Sequence, residues 1–423
     1  MSTANICKTC SAPFQITSKD EEFYKHLKVP HPTLCPACSS QRRLAYRNEN
    51  CLHKNTCHLC KKPMISVFHK NTPYTVYCNN CWWSDKWDPM DYGKKPDFSN
   101  PFFNQFYKLQ KSIPHFTLFQ DGTSENCEYT NFGLFNKNCY MSMCGYSEDI
   151  YYSSVIIKSK SCMDCKRAFS CELCYECIEC DTCYNLDFGK DCANCVDSQF
   201  LEDCIGCNHC FCCAGLRHKK YCFQNKQLTR QEYEKRLAKT KPLDTKHWQT
   251  QLTNLAQSVP KNYMHGNTNE NSTGNYLNNT KNCTECFDCG HMEDSAYCDT
   301  CGLQVKDAYR STNCGVGSEL CYEVNGVTAH HNCIAIYFAR SLSDCQYCQY
   351  CFNSKDLFGC IGLNQKRYCI FNRQYTKEEY HQTRKRLITH MLETGEYGEF
   401  FPIKNSPYPY KDTVAMDYFS KQT

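Results

Sequence analysis

Residues 162–222 read CMDCKRAFSCELCYECIECDTCYNLDFGKDCANCVDSQFLEDCIGCNHCFCCAGLRHKKYC. They hold fifteen cysteines, and all but Cys212 share one every-third-residue phase. An α-helix would spread a period of three slowly around its surface, and the Asn, Asp, Gly and Ser between the cysteines disfavour helix. A plain strand repeats every two residues. A solenoid reconciles the patterns: short extended runs each end in a corner, and small residues stack inside, coil upon coil. Cysteine serves as such a residue when buried and protonated. The expected fold is a parallel β-solenoid of about 20 residues per coil, with thiols as inward ladders. The rival reading is a row of metal clips, with every four nearby thiolates holding an ion.

The pattern occurs twice. Glu172-Leu-Cys-Tyr-Glu176 returns as Glu319-Leu-Cys-Tyr-Glu323, and Tyr221-Cys222-x2-Asn225-x-Gln227 as Tyr368-Cys369-x2-Asn372-x-Gln374. Val324 stands where the first copy has Cys177, and, with Cys360 aligned on Cys204, Leu363 stands opposite Cys207. Exchanging a thiol for an aliphatic group is easy in a packed core and ruinous in a metal site, which favours packing. Cys283, Cys286, Cys298 and Cys301 are kept as a possible additional metal set. Each copy ends at a capping box, Thr229 with Glu232 and Thr376 with Glu379. The Gly/Asn-rich segment 266–282 reads as a flexible linker.

The first 81 residues carry a different signal. Cys7-x2-Cys10 is followed by Cys35-Pro-Ala-Cys38, and Cys57-x2-Cys60 by Cys78-x2-Cys81. Each pair offers two thiolates from one tight turn, and two pairs complete a tetrahedral four-sulfur shell suited to zinc. Two structural Zn2+ sites are expected, although Cys51, His53 and His58 lie close enough to blur the second set. Arg42, Arg43 and Arg47 form a basic cluster that reads either as a nucleic-acid contact or as a solvated helix face that also salt-bridges. Trp82, Trp83 and Trp87 either stack bases or form a lid over the ribbon. In NPFFNQFYKLQKSI, residues 100–113, the aromatic stripe predicts a helix capped by Asn100. It is expected to cover the open end of the first solenoid coil.

The stretch from Cys7 through FYKHLKVPHPTLCPACSSQRR resembles the probable-zinc-ribbon domain of uncharacterised bacterial proteins. With CNNCWWSDKWDPMDYG, YCIFNRQYTKEEY and GEFFPIKNSPYPY, the chain is similar to a cysteine-repeat family of uncultivated candidate-phyla bacteria. The resemblance covers most of the chain. It implies zinc at the two quartets and no activity.

Composition supports a fold with little aliphatic core: 40 of the 423 residues are Cys, 30 Tyr and 24 Phe. The net charge of +4 gives no case for a polyanion-binding surface over the whole chain. The start MSTANICKTCSAPF lacks a secretory pattern, and no apolar run reaches membrane length, so a cytoplasmic protein with reduced thiols is expected. No phosphate-binding loop, GxGxxG, HExxH or GxSxG is present, so no catalytic residue and no small-molecule substrate is assigned. The expected class is mainly β with small α. Zinc ribbons (1–48 and 49–92) and an aromatic connector (93–125) lead into solenoid unit 1 (126–228). A helical segment (229–262), the linker (263–282), solenoid unit 2 (283–375), a helix (376–395) and a tail (396–423) follow. The expected role is a non-enzymatic zinc-binding scaffold or recognition protein, with a protein or nucleic-acid partner. The alternatives are a zinc-ribbon nucleic-acid binder and a thiol-based metal-buffering or redox protein.

Overall fold

The computed structural model describes residues 3–120, 123–133, 135–152, 156–157, 159–163, 189–190, 195–302, 304–315 and 317–419. The seven cysteines from Cys165 through Cys192 lie outside them, and with them the comparison of Cys177 with Val324. The described chain is mostly strand and forms a β-solenoid of about 15 turns.

Strand Asn208–Ala214 pairs in parallel with Gln199–Glu202 on one side and Lys220–Phe223 on the other. Partners such as Leu201 and Cys213, or Cys210 and Cys222, stand 12 residues apart. Most coils are therefore 12 residues long, with some of 11 (Gly266 to Leu277) and 13 (Ala308 to Cys321), not the expected 20 or so. The backbone gives the reason. Asp197, Phe200, Asp203, Gly206, His209, Cys212, Gly215, His218, Tyr221 and Gln224 all have φ between 47° and 69°. Every third residue is a left-handed corner, so a coil has four sides of three residues. The residue after most of these corners points inward, as Cys204, Cys207, Cys210 and Cys213 do. This is the origin of the period of three. Cys212, the one cysteine out of phase, occupies a corner and joins the outer cluster of Phe200, Phe211 and Phe223 beneath helix Thr245–Gln257.

Inside, thiols pack with aliphatic groups. Leu201 sits over Cys213, Ile336 over Cys348 and Leu357 over Cys369. Val324 and Leu363 are fully buried among Cys321, Cys333, Cys345 and Cys360. The thiols also satisfy the backbone. Cys204 Sγ donates to the carbonyls of Glu202 and Cys213, both at 3.5 Å, and Cys360 Sγ to those of Phe358 (3.5 Å) and Cys369 (3.3 Å). Ser198 and Ser354 use their hydroxyls the same way, on Val196 and Phe352.

Left-handed corners favour Asn, Asp and Gly. Residues 266–282, expected to be a linker, are solenoid for this reason: Gly274–Lys281 pairs with Cys286–Glu293, and Asn271, Asn279 and Asn282 are corners with φ of 46–53°. Their amides form ladders, Asn271 to Asn282 and Asn282 to Asp294, each at 3.0 Å. One flat side carries alternating charge, Glu125, Lys137, Glu148 and Lys160 in the first unit and Glu270, Lys281, Glu293 and Lys306 in the second. Opposite charges on neighbouring strands add about 0.2–1 kcal/mol per pair.

Both units close alike, with Cys222 antiparallel to Gln227 and Cys369 to Gln374, followed by helices Arg230–Ala238 and Lys377–Glu393. Both helices have the expected capping boxes. Helix Phe102–Ser112 forms, but Asn100 does not cap it. The Glu396 carboxylate accepts from the N–H groups of Phe102 (2.7 Å) and Phe103 (2.8 Å). This helix covers the last coils of the second unit, not the first coil. Phe102 packs on Tyr347, Phe358 and Phe371, over Gly359 (φ 65°), where a Cβ would lie 3.0–3.1 Å from the Phe371 and Phe102 rings.

Candidate metal centres

Two hairpins and two helix starts build the centres. In the first, strands Thr3–Ile6 and Pro13–Ile16 flank the turn with Cys7 and Cys10, and Cys35 and Cys38 open helix Pro36–Leu44. In the second, strands His53–Thr56 and Pro63–Ser66 flank Cys57 and Cys60, and Cys78 and Cys81 lie at helix Asn79–Trp82. The turns match bond for bond. Cys7 N donates to Ala12 O and Ser11 N to Cys7 O, as Cys57 N does to Lys62 O and Lys61 N to Cys57 O. Ser11 (φ 58°) and Lys61 (φ 63°) take the same left-handed conformation.

In each quartet the four sulfurs lie within 4.8 Å of one another. Cys10 Sγ is 3.8 Å from Cys35 Sγ, and Cys60 Sγ is 3.7 Å from Cys78 Sγ. A tetrahedral ion with metal–sulfur bonds of about 2.3 Å requires an edge of about 3.8 Å. Backbone N–H groups face the sulfurs: Cys38 N to Cys35 Sγ at 3.5 Å and Cys78 N to Cys57 Sγ at 3.3 Å. Burial pushes the Cys7 thiol up, but the N–H groups of Cys10, Cys35 and Thr9 outweigh it and bring it down to about 6. Cys57 reaches about 6 in the same way, through Cys78, Cys60 and Leu59. Burial, reinforced by the neighbouring sulfurs, drives Cys38 and Cys81 upward. Four thiols this close cannot all ionise unaided, and a cation among them removes the conflict. The residues fit a bound metal ion.

Among the described residues these are the two quartets that meet this criterion. Cys283, Cys286, Cys298 and Cys301 do not form a third. They are buried in the solenoid interior, where Cys283 Sγ donates to Lys281 O and Cys298 Sγ to Ala308 O. Cys51, His53 and His58 stand outside the second quartet, and His58 Nδ1 accepts from Val76 N at 2.8 Å.

The basic cluster is buried and paired within the protein, which disfavours the nucleic-acid reading. Arg42, Arg43 and Arg47 are only 8%, 1% and 2% exposed. Arg42 pairs with Glu323 (2.7 Å) and Glu399 (2.6 Å), Arg43 donates to Ser39 Oγ (2.6 Å), and Arg47 pairs with Glu49 (2.6 Å). The helix that starts at the metal ligands thus faces the second solenoid unit. Phe23 stacks on Tyr309 at 3.6 Å, Asn325 Nδ2 donates to Arg43 O, and Arg310 Nη1 donates to Leu34 O. Trp82 is a lid, packed on Trp87, Phe116 and Tyr350, while Trp83 leans on Phe352 and stays 46% exposed. Glu323, Arg310 and Glu399 are the residues that sequence reasoning missed. The repeated ELCYE motif carried Glu323 in plain view, but served only to align the copies.

No family model, curated protein or solved structure matches the chain. Among the described residues no helix is long and apolar enough to cross a membrane.

Proposed function

We propose that this protein is a zinc-braced recognition scaffold, in which two four-thiolate zinc centres hold ribbons against a β-solenoid whose remaining faces bind a macromolecular partner. The carrying observation is the sulfur geometry of the two quartets, with edges of 3.7–3.8 Å and backbone N–H groups on the sulfurs. Zinc is the ion of choice for four soft ligands in a tetrahedron. A closed shell leaves no position for a substrate or an activated water, so the proposed role is structural and the proposed work is binding. The interior thiols serve packing in this reading. Burial raises Cys333, Cys345 and Cys360 well above the usual thiol range, which disfavours the thiolate that metal buffering requires. Such a core calls for a reducing compartment.

Elemental analysis of protein purified without chelator tests the reading. About two zinc ions per chain are expected, with one lost in each of Cys38→Ser and Cys81→Ser. Six or more metals, visible iron absorbance, or no metal at all would overturn it.

A further inference from the structure

The two centres share their internal ties and differ in what grips them from outside. In both, the ligand turns tie to each other, Lys8 N to Thr33 O (3.0 Å) in the first and His58 N to Val76 O (2.9 Å) in the second, where Val76 N also donates to His58 Nδ1 (2.8 Å). The second meets the solenoid through the rings of Trp82 and Trp83, which follow Cys81 in sequence. In the first, solenoid and tail side chains grip the residues that flank the ligands Cys35 and Cys38. Thr33 Oγ1 donates to Glu399 Oε1 at 2.6 Å, Arg310 Nη1 donates to Leu34 O at 2.9 Å, and Ser39 Oγ donates to Glu323 Oε1 at 3.0 Å. Arg42, one helical turn beyond Cys38, bridges Glu323 and Glu399. Glu323 and Arg310 are almost fully buried. They come from corners of neighbouring coils, which fixes their separation independently of the ribbon.

We propose that the first metal centre is a latch between ribbon and solenoid: Glu323, Arg310 and Glu399 hold the Cys35–Cys38 turn in its ligating geometry, and loss of the metal frees residues 33–47 from the second unit. The proposal rests on metal binding at the quartets. Its physical basis is linkage. A contact that holds the ligands in place strengthens metal binding, and the bound metal strengthens that contact by the same factor. Residues that orient metal ligands from outside the coordination shell typically change affinity roughly 10–100-fold when altered. Metal at the first centre therefore reports whether the clamp is engaged, and metal at the second does not.

The test uses full-length zinc-loaded protein challenged with a chromogenic zinc chelator and an alkylating reagent, with peptide mapping of modified cysteines. Glu323→Gln and the milder Ser39→Ala should speed alkylation of Cys10 and Cys35 roughly 10–100-fold and 3–10-fold respectively. Cys60 and Cys78 should keep wild-type rates, and their protection also shows that the variants are folded. Should Glu323→Gln fail to fold, Ser39→Ala carries the test alone. Wild-type protein with two zincs but unchanged rates at Cys10 and Cys35 in a folded variant overturns the latch and leaves the metal reading standing. Equal acceleration at both quartets also overturns it, because the effect would then be general loosening. Wild-type protein without zinc overturns both.

Discussion

Replacing Glu323 with Gln tests whether the basic helix of the first ribbon is an internal clamp. The carboxylate is buried, with Arg42 at 2.7 Å, Ser39 Oγ at 3.0 Å and Arg310 at 3.9 Å. Gln keeps the volume and its Oε1 still accepts from Ser39, but its NH2 then faces the Arg42 guanidinium, so the change removes both the charge and the acceptor for Arg42. Removing one partner of a buried ion pair costs about 3–5 kcal/mol because the other is left buried and uncompensated. Arg42 retains Glu399 at 2.6 Å, which places the expected loss near the low end, about 3 kcal/mol. A solvated helix face would lose about 0–1 kcal/mol and would lose less in high salt. Urea unfolding followed by tryptophan fluorescence reads the difference, because Trp82, Trp83 and Trp87 sit in the adjacent ribbon. With Arg42→Met as the second arm of a double-mutant cycle, a coupling above about 1 kcal/mol is expected, nearly independent of salt. A single-variant loss below about 1 kcal/mol, or one that vanishes in high salt, would refute the reasoning.

Acid should destabilise the fold through two buried imidazoles. Burial pushes His115 and His330 down to about 4, against about 6.5 in the unfolded chain. Between these values the unfolded state takes up protons that the folded state refuses, so stability falls as pH drops from about 6.5 to 4, by up to about 3 kcal/mol per residue. His330→Leu, matching Leu342 on the next coil, should remove about half of that slope in urea melts, and an unchanged slope would count against this account. In the thiol core, Cys333→Val should shift stability by less than about 1.5 kcal/mol with metal content unchanged; release of a metal would make Cys333 a ligand. Gly359→Ala should cost about 1–3 kcal/mol by calorimetry, from its left-handed φ and its contact with Phe102 and Phe371, and a neutral result would mean the helix is not seated there.

The metal quartets were legible because their chemistry is local. Two cysteines three residues apart share one turn wherever the fold places it, and Cys35 and Cys38 need only a helix start to face Cys7 and Cys10. The solenoid was legible from its period, since one inward residue per corner must recur every three residues. Its coil length was not, because the period counts residues per side and says nothing of how many sides close a coil. A visible signal went unused: Asn, Asp or Gly precedes many of the inward cysteines, as in Asn138-Cys139, Asp203-Cys204, Asn282-Cys283 and Asp344-Cys345. Those are the residues that tolerate a left-handed corner. The same preference made residues 266–282 look like a linker.

Sequence alone determined the elements whose causes lie within a few residues: the knuckles, the capping boxes, the amphipathic helix at 102–112 and the triplet repeat. Tertiary structure decided what the arginines do. Arg42 and Glu323 are 281 residues apart, and no local pattern distinguishes a guanidinium bound for solvent from one bound for a buried carboxylate. The same holds for Glu396, which caps a helix 293 residues earlier in place of the adjacent Asn100. Burial is a property of the whole packed chain, and it turned a cluster that reads as an outward contact into the seam between ribbon and solenoid.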